Sequence, residues 1–254
     1  DAEGGAAYFE VWDYGYTKYD ANDTANYPNG YIIRSNYSFS GRQDEGMGYI
    51  RYQSAEYLFH NAYAKGDLTP EWIFSSASRS FYHAVFGEDV LKSSTNGWIV
   101  DQDLISRNSS SASIVVEGVR KGDNPDATTI WSVVGYPPCS YAVASWVKAK
   151  DNIAAVITAS EEGFSPVNRL ANALKCEVFP IERGNGNRYM RTSVVSRAIE
   201  ALRPYEKSSI NAASKVRDRI AKEGFKIEYV NEYNEFIQTS APNPDEIISL
   251  AVDK

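Results

Sequence analysis

The chain has 254 residues, 43% of them hydrophobic and 13% aromatic, enough apolar mass for a substantial core in one mixed domain. A formal charge of -7, with no Lys/Arg block longer than Arg120-Lys121, argues against a nucleic-acid partner. No apolar run approaches the roughly 18 residues of a membrane-spanning helix, and His60 and His83, the 2 histidines, argue against both a His-rich metal centre and a Ser-His-Asp triad.

The opening Asp1-Ala2-Glu3-Gly4-Gly5-Ala6-Ala7-Tyr8-Phe9-Glu10-Val11-Trp12 reads as a turn running into a strand, with no initiator Met and no polar leader. It suggests the larger, C-terminal product of a longer precursor. Residues 6–19 and 30–36 predict two strands around the polar loop Asp20–Asn26. Tyr8, Phe9, Trp12, Tyr14, Tyr16 and Tyr19 in the first are read as sheet packing or as the wall of an apolar pocket. Tyr49, Tyr52, Glu56, Phe59 and Tyr63 recur at helical spacing over 47–64, closed by Gly66. Thr69-Pro70-Glu71 opens a helix predicted to run to Phe86, weakened by Ser75, Ser76, Ser78 and Ser80, whose hydroxyls compete for backbone hydrogen bonds.

From Trp98 the pattern becomes β: strands over 98–106, 112–119, 128–135 and 141–148, with Lys121–Asp126 as one turn. The remainder reads as helical: Ser165-Pro166 to Leu174, Arg191 to Leu202, Ser208 to Lys222, and an apolar stripe of Tyr229, Val230, Tyr233, Phe236 and Ile237. Gly184-Asn185-Gly186-Asn187 lacks the Gly-Lys-Ser/Thr of a phosphate cradle and reads as a turn. The fold class expected is α+β, residues 1–150 carrying sheet core and site and 151–254 mainly helices. Cys139 and Cys176 are too few for a disulfide framework and are read as buried apolar residues, with a mutual bridge as the alternative for an exported protein.

Of the residues suited to chemistry, Asp101/Asp103 and Glu161/Glu162 do not stand out from solvated strand ends or loops. Arg107, before Asn108-Ser109-Ser110-Ser111, reads equally as a carboxylate receptor or a loop cap. Asn36, at the mouth of the predicted strand in Gly30–Gly41, is either a turn tip or a fixed N–H donor aimed at developing charge.

Three segments in order, Gly-Tyr-Ile-Ile-Arg-Ser-Asn-Tyr-Ser-Phe-Ser-Gly at 30–41, Ser-Ser-Ala-Ser-Arg-Ser-Phe at 75–81 and Thr-Thr-Ile-Trp-Ser-Val-Val at 128–134, give the chain a family likeness, reinforced by the strand at 141–147. The chain resembles the choloylglycine hydrolase and penicillin acyltransferase branch of the N-terminal nucleophile hydrolases, most of all linear amide C–N hydrolases. The resemblance implies an αββα sandwich and an N-terminal Cys nucleophile whose own α-amine, with a pKa near 8, replaces histidine as base. It implies Asn36 and Arg79 as catalytic residues, Asn36 donating to the oxyanion and Arg79 ordering the nucleophile end. Arg107, Tyr37 and Phe39 are the expected substrate-binding residues.

No cofactor or metal is implied. Position 1 is Asp, so the Cys nucleophile is expected on an N-terminal chain of the same precursor, released by autoproteolytic processing. The expected partners are that chain and a small N-acylated substrate, within a processed heterodimer or a higher homo-oligomer. The resemblance implies export to the periplasm or outside the cell. The alternative is a noncatalytic, ligand-binding relative of the same fold.

Overall fold

The computed structural model describes residues 7–12, 14–20, 23–26, 29–36, 48–120 and 122–252. Tyr37 and Phe39 lie outside the described residues.

Alternation places Thr129, Trp131 and Val133 on the buried face of β7 (Thr129–Val134). This strand is the centre of an antiparallel sheet with β6 (Ala112–Glu117) and β8 (Ala142–Trp146), in the order β6-β7-β8. The inner face is covered by the helices α4 (Pro166–Val178), α5 (Thr192–Glu223) and α6 (Ile227–Thr239), and α7 (Pro244–Val252) packs on α4 and α5. Trp146 meets the Tyr233 ring edge-on at 5.2 Å, and the Tyr233 hydroxyl accepts from the Ala144 amide at 2.8 Å. Ile114 and Val116, on the other side of β6, are exposed.

A second antiparallel sheet joins the two halves of the sequence: β5 (Trp98–Val100), β10 (Asn187–Arg191) and β9 (Ile181–Gly184), in the order β5-β10-β9. Asn185 (φ 54°) and Gly186 (φ 77°) turn β9 into β10, the positive φ pair of a tight hairpin, as their composition predicts. Two further hairpins pair β1 (Ala7–Trp12) with β2 (Gly15–Asp20) and β3 (Tyr82–His83) with β4 (Glu88–Asp89), which runs into the short α3 (Val90–Ser93). The architecture is therefore α+β with antiparallel sheets and helices.

Several boundaries depart from the sequence reading. The strand predicted over 6–19 folds back on itself before Gly15; Phe9, Tyr14 and Tyr16 are exposed, with the Phe9 and Tyr16 rings meeting edge-on across the hairpin at 5.5 Å. Residues 31–35 are extended without a strand partner among the described residues. α1 (Tyr49–Lys65) ends at Gly66 as expected. The helix from Thr69 does not reach Phe86: α2 (Pro70–Trp72) passes into a π turn, Ile73–Ala77, closed by the Ser78 amide on Ile73 O at 2.8 Å. His83, expected on a helix, lies in β3. The two helices predicted across 191–222 are one, because Leu202, Glu206, Ser209 and Ile210 keep a common buried face across Pro204. The cysteines are free, Cys139 buried and Cys176 exposed, so the bridge is absent and Cys176 is not a core residue.

Candidate functional site

Residues 31–36 run as an extended segment along α1. The Tyr31 ring packs on Phe59 (5.8 Å) and Tyr63 (6.2 Å), and its hydroxyl donates to Glu56 Oε2 at 3.3 Å. Burial and the Glu56 carboxylate push the Tyr31 phenol pKa up. Gly30, at φ +76°, lies so close to Tyr63 that a Cβ would stand 2.2 Å from the ring. At the other end Ser35 Oγ donates to Gly48 O at 3.1 Å, and Asn36 Oδ1 accepts from Arg51 Nη2. Gly48, the residue before α1, is at φ +94°, and a Cβ there would stand 2.4 Å from Asn36 Oδ1 and 2.7 Å from Arg51 Nη2.

Arginine is donor-only, so its contact fixes the oxygen of the Asn36 amide toward Arg51 and turns the Nδ2 donors away from it. Arg51 is 3.9 Å from Asp103 across a partly shielded gap. Burial, followed by the nearby Arg107 charge, lowers the Arg51 pKa, while Asp103 opposes that shift.

Behind this segment is a cavity of about 420 Å³. Its apolar wall comes from Ile32 and Ile33, from Ala55 and Phe59 of α1, from Ile73 and Ala77 of the π turn, and from Ile105. Its polar rim is Arg34, Ser35, Arg51, Ser78 and Arg107, three guanidinium groups with no carboxylate among the lining residues. The π turn is what brings Ala77 and Ser78 to the wall: Ser78 Oγ lies 2.6 Å from Ser113 Oγ, and Ser106 Oγ donates to Ser78 O at 2.5 Å. Such a lining suits a molecule with an aliphatic or aromatic part and an anionic or oxygen-rich end.

Arg107 is part of the rim, its Nε donating to Ser109 Oγ at 2.6 Å, whereas Asn36 is exposed and does not itself line the cavity: it is joined to the rim only through its neighbour Ser35 and its contact with Arg51. Arg79 is placed elsewhere. Its Nη1 and Nη2 donate to Glu206 Oε1 (2.5 Å) and Oε2 (2.6 Å), Nε to Pro137 O (3.0 Å) and Nη2 also to Ser140 O (2.8 Å). It lines a different cavity, with Ser75, Ser76 and Arg203. Among the carboxylates, Asp101 is buried and takes backbone N–H groups from Asn108 (2.6 Å) and Arg188 (2.7 Å), and Glu162 pairs with Arg169 at the surface. Both serve local structure.

Cys139 does not offer a nucleophile: it is fully buried, and burial drives its thiol pKa far up. Among the described residues no group of three or more His, Cys, Asp or Glu has the arrangement of a metal site. Sequence reading missed Arg51 and Gly48. The signal available was a glycine directly before the helical stripe; the Arg51 contact depends on tertiary placement. No family model, curated protein or solved structure matches the chain.

Proposed function

We propose that the chain is the larger part of a cysteine-type amide hydrolase of the N-terminal nucleophile class, cleaving a linear N-acyl bond through an acyl-enzyme. The observation that supports the reading is the Asn36 amide, its oxygen held by Arg51 and its N–H donors directed away, next to Ser35 and Arg51, which line a cavity with an apolar wall and a guanidinium rim. The acyl group lies against Ile33, Phe59, Ile73 and Ile105, and Asn36 Nδ2 donates to the carbonyl oxygen as it becomes an oxyanion.

The nucleophile is a cysteine from an N-terminal chain outside the described residues. Its thiolate attacks the carbonyl carbon after the thiol proton passes to the α-amine; that proton leaves with the departing amine, and water then cleaves the thioester. The αββα sandwich, processing and export are parts of the same proposal, and antiparallel sheets covered by helices are compatible with it. No helix among the described residues is long and apolar enough to cross a membrane.

A second reading, a noncatalytic ligand-binding relative, is favoured by one observation: Arg79 is absorbed by Glu206 and two carbonyls and does not line the cavity beside Arg51. Intact-mass and N-terminal analysis of the native protein separates the two. A co-purifying polypeptide that begins with Cys, with turnover of N-acyl substrates falling about 100-fold or more in Asn36→Ala while folding is kept, is the expected result. A native protein without such a polypeptide, or turnover unchanged by Asn36→Ala, removes the hydrolase reading.

A further inference from the structure

A second cavity, of about 530 Å³, opens on the other side of Asp103. His83 at the end of β3, Phe86 in the β3–β4 turn, Val90 of α3 and Ile99 of β5 give it an apolar wall. Phe86 stacks on the His83 ring at 4.3 Å, and the turn is closed by the Phe86 and Gly87 amides on His83 O (3.1 and 2.9 Å). The His83 ring is buried, and burial lowers its pKa, so it stands in this wall as a neutral, flat surface.

Two opposite charges face the same space. Asp103 comes from the segment after β5, in the left-handed region at φ 60°, a conformation that aspartate and asparagine adopt more readily than most residues, and lines this cavity. Its partner Arg51 is 3.9 Å away, at the far limit of ion pairing, and no side-chain hydrogen bond occupies either carboxylate oxygen among the described residues. Arg183, on β9, is exposed and has no carboxylate within ion-pairing distance among the described residues.

A lone cation site would need only Asp103, and a fatty acid site only Arg183. One carboxylate and one guanidinium beside an apolar wall match a ligand that carries both an ammonium and a carboxylate next to an apolar side chain. We infer that this cavity binds a free α-amino acid with an aromatic or branched side chain, its ammonium on Asp103, its carboxylate on Arg183 and its side chain against Phe86, Val90 and Ile99. The volume accommodates an aromatic amino acid. The ligand shares Asp103 with Arg51, so its site touches the guanidinium that holds Asn36. None of this rests on the amide-hydrolase reading.

Calorimetric titration of the intact protein with L-phenylalanine and L-leucine tests the inference, with phenylacetate and phenethylamine as single-charge analogues. The expected result is saturable binding of an amino acid, weakened about tenfold or more when either charge of the ligand is missing. Arg183→Gln, an exposed substitution, weakens it by a similar factor while the melting temperature stays at that of the parent, and Asp103→Asn, which keeps a residue tolerant of the left-handed region, does the same. Three results overturn the inference: no saturable binding of either amino acid up to roughly 10 mM, the weak end of small-molecule affinity; equal binding of phenylacetate or phenethylamine; or affinity unchanged in Arg183→Gln.

Discussion

Replacing Arg79 by alanine separates a structural from a catalytic role for the arginine that the family likeness singles out. Arg79 and Glu206 are both 7% exposed at the side chain, and Glu206 Oε2 accepts a further bond from the Ala142 amide at 3.0 Å. Three stretches of chain meet at this pair: the segment after the π turn, the 137–142 connection into β8, and the middle of α5. In Arg79→Ala the carboxylate stays buried without its cation, and Pro137 O and Ser140 O lose their donor. Breaking one partner of a buried ion pair costs about 3–5 kcal/mol. At roughly 2–4 °C per kcal/mol for a chain of this size, the melting temperature falls by roughly 6–20 °C. The double substitution Arg79→Met with Glu206→Leu, which leaves no buried charge, lies closer to the parent than the sum of the single losses. Thermal melts followed by near-ultraviolet circular dichroism measure both. If Arg79→Ala melts within about 2 °C of the parent, less than 1 kcal/mol, while turnover collapses, the structural argument fails and Arg79 acts on substrate.

Burial raises the phenol pKa of Tyr136 and Tyr141 and lifts that of Tyr233 to about 12. A pKa raised above the unfolded value of about 10 gives stability that is full below pH 10 and lost as pH rises toward about 12. Ionisation followed at 295 nm should show a cooperative step coincident with loss of near-ultraviolet dichroism; independent titration of every tyrosine near pH 10 with the fold intact would contradict this. Gly48→Ala forces a Cβ into the Asn36–Arg51 contact at a positive φ, and should lower stability by about 1–2 kcal/mol, measured by urea unfolding. Arg107→Gln should weaken binding of decanoate to the first cavity about tenfold, read by calorimetry; equal affinity would remove Arg107 from the rim's role.

The sheet β6-β7-β8 was legible because its strands are rich in β-branched and aromatic residues and the connection from β6 to β7 carries Gly, Asp, Asn and Pro. Thr69-Pro70 and Ser165-Pro166 are helix starts that the structure keeps, with Thr69 and Ser165 accepting the Trp72 and Asn168 amides. What followed Thr69 was not legible, since periodicity alone does not reveal that the serine-rich run leaves the helix through a π turn. The gap between the helices expected at 191–202 and 208–222 contains Pro204, which α5 carries inside one continuous helix because buried residues on both sides of it keep a common face. The start of α7 had a local signal that the sequence reading passed over, Asn243 before Pro244, whose Oδ1 accepts the Asp245 and Glu246 amides. At the site, residue types were legible and partners were not. Glu206 lies 127 residues from Arg79, and nothing within either segment announces the pairing.

The two arginines that matter most, Arg79 and Arg51, differ in what they have left to give. A guanidinium has five N–H donors, and Arg79 spends four of its own on Glu206, Pro137 O and Ser140 O. Arg51 directs one to Asn36 and faces Asp103 across 3.9 Å. Its charged form is disfavoured by burial and by Arg107, the combination that an anion placed between them would reverse. Arg51 and Arg107 therefore keep guanidinium donors on the rim of the first cavity, while four of those of Arg79 are committed to joining α5 and the 137–142 connection.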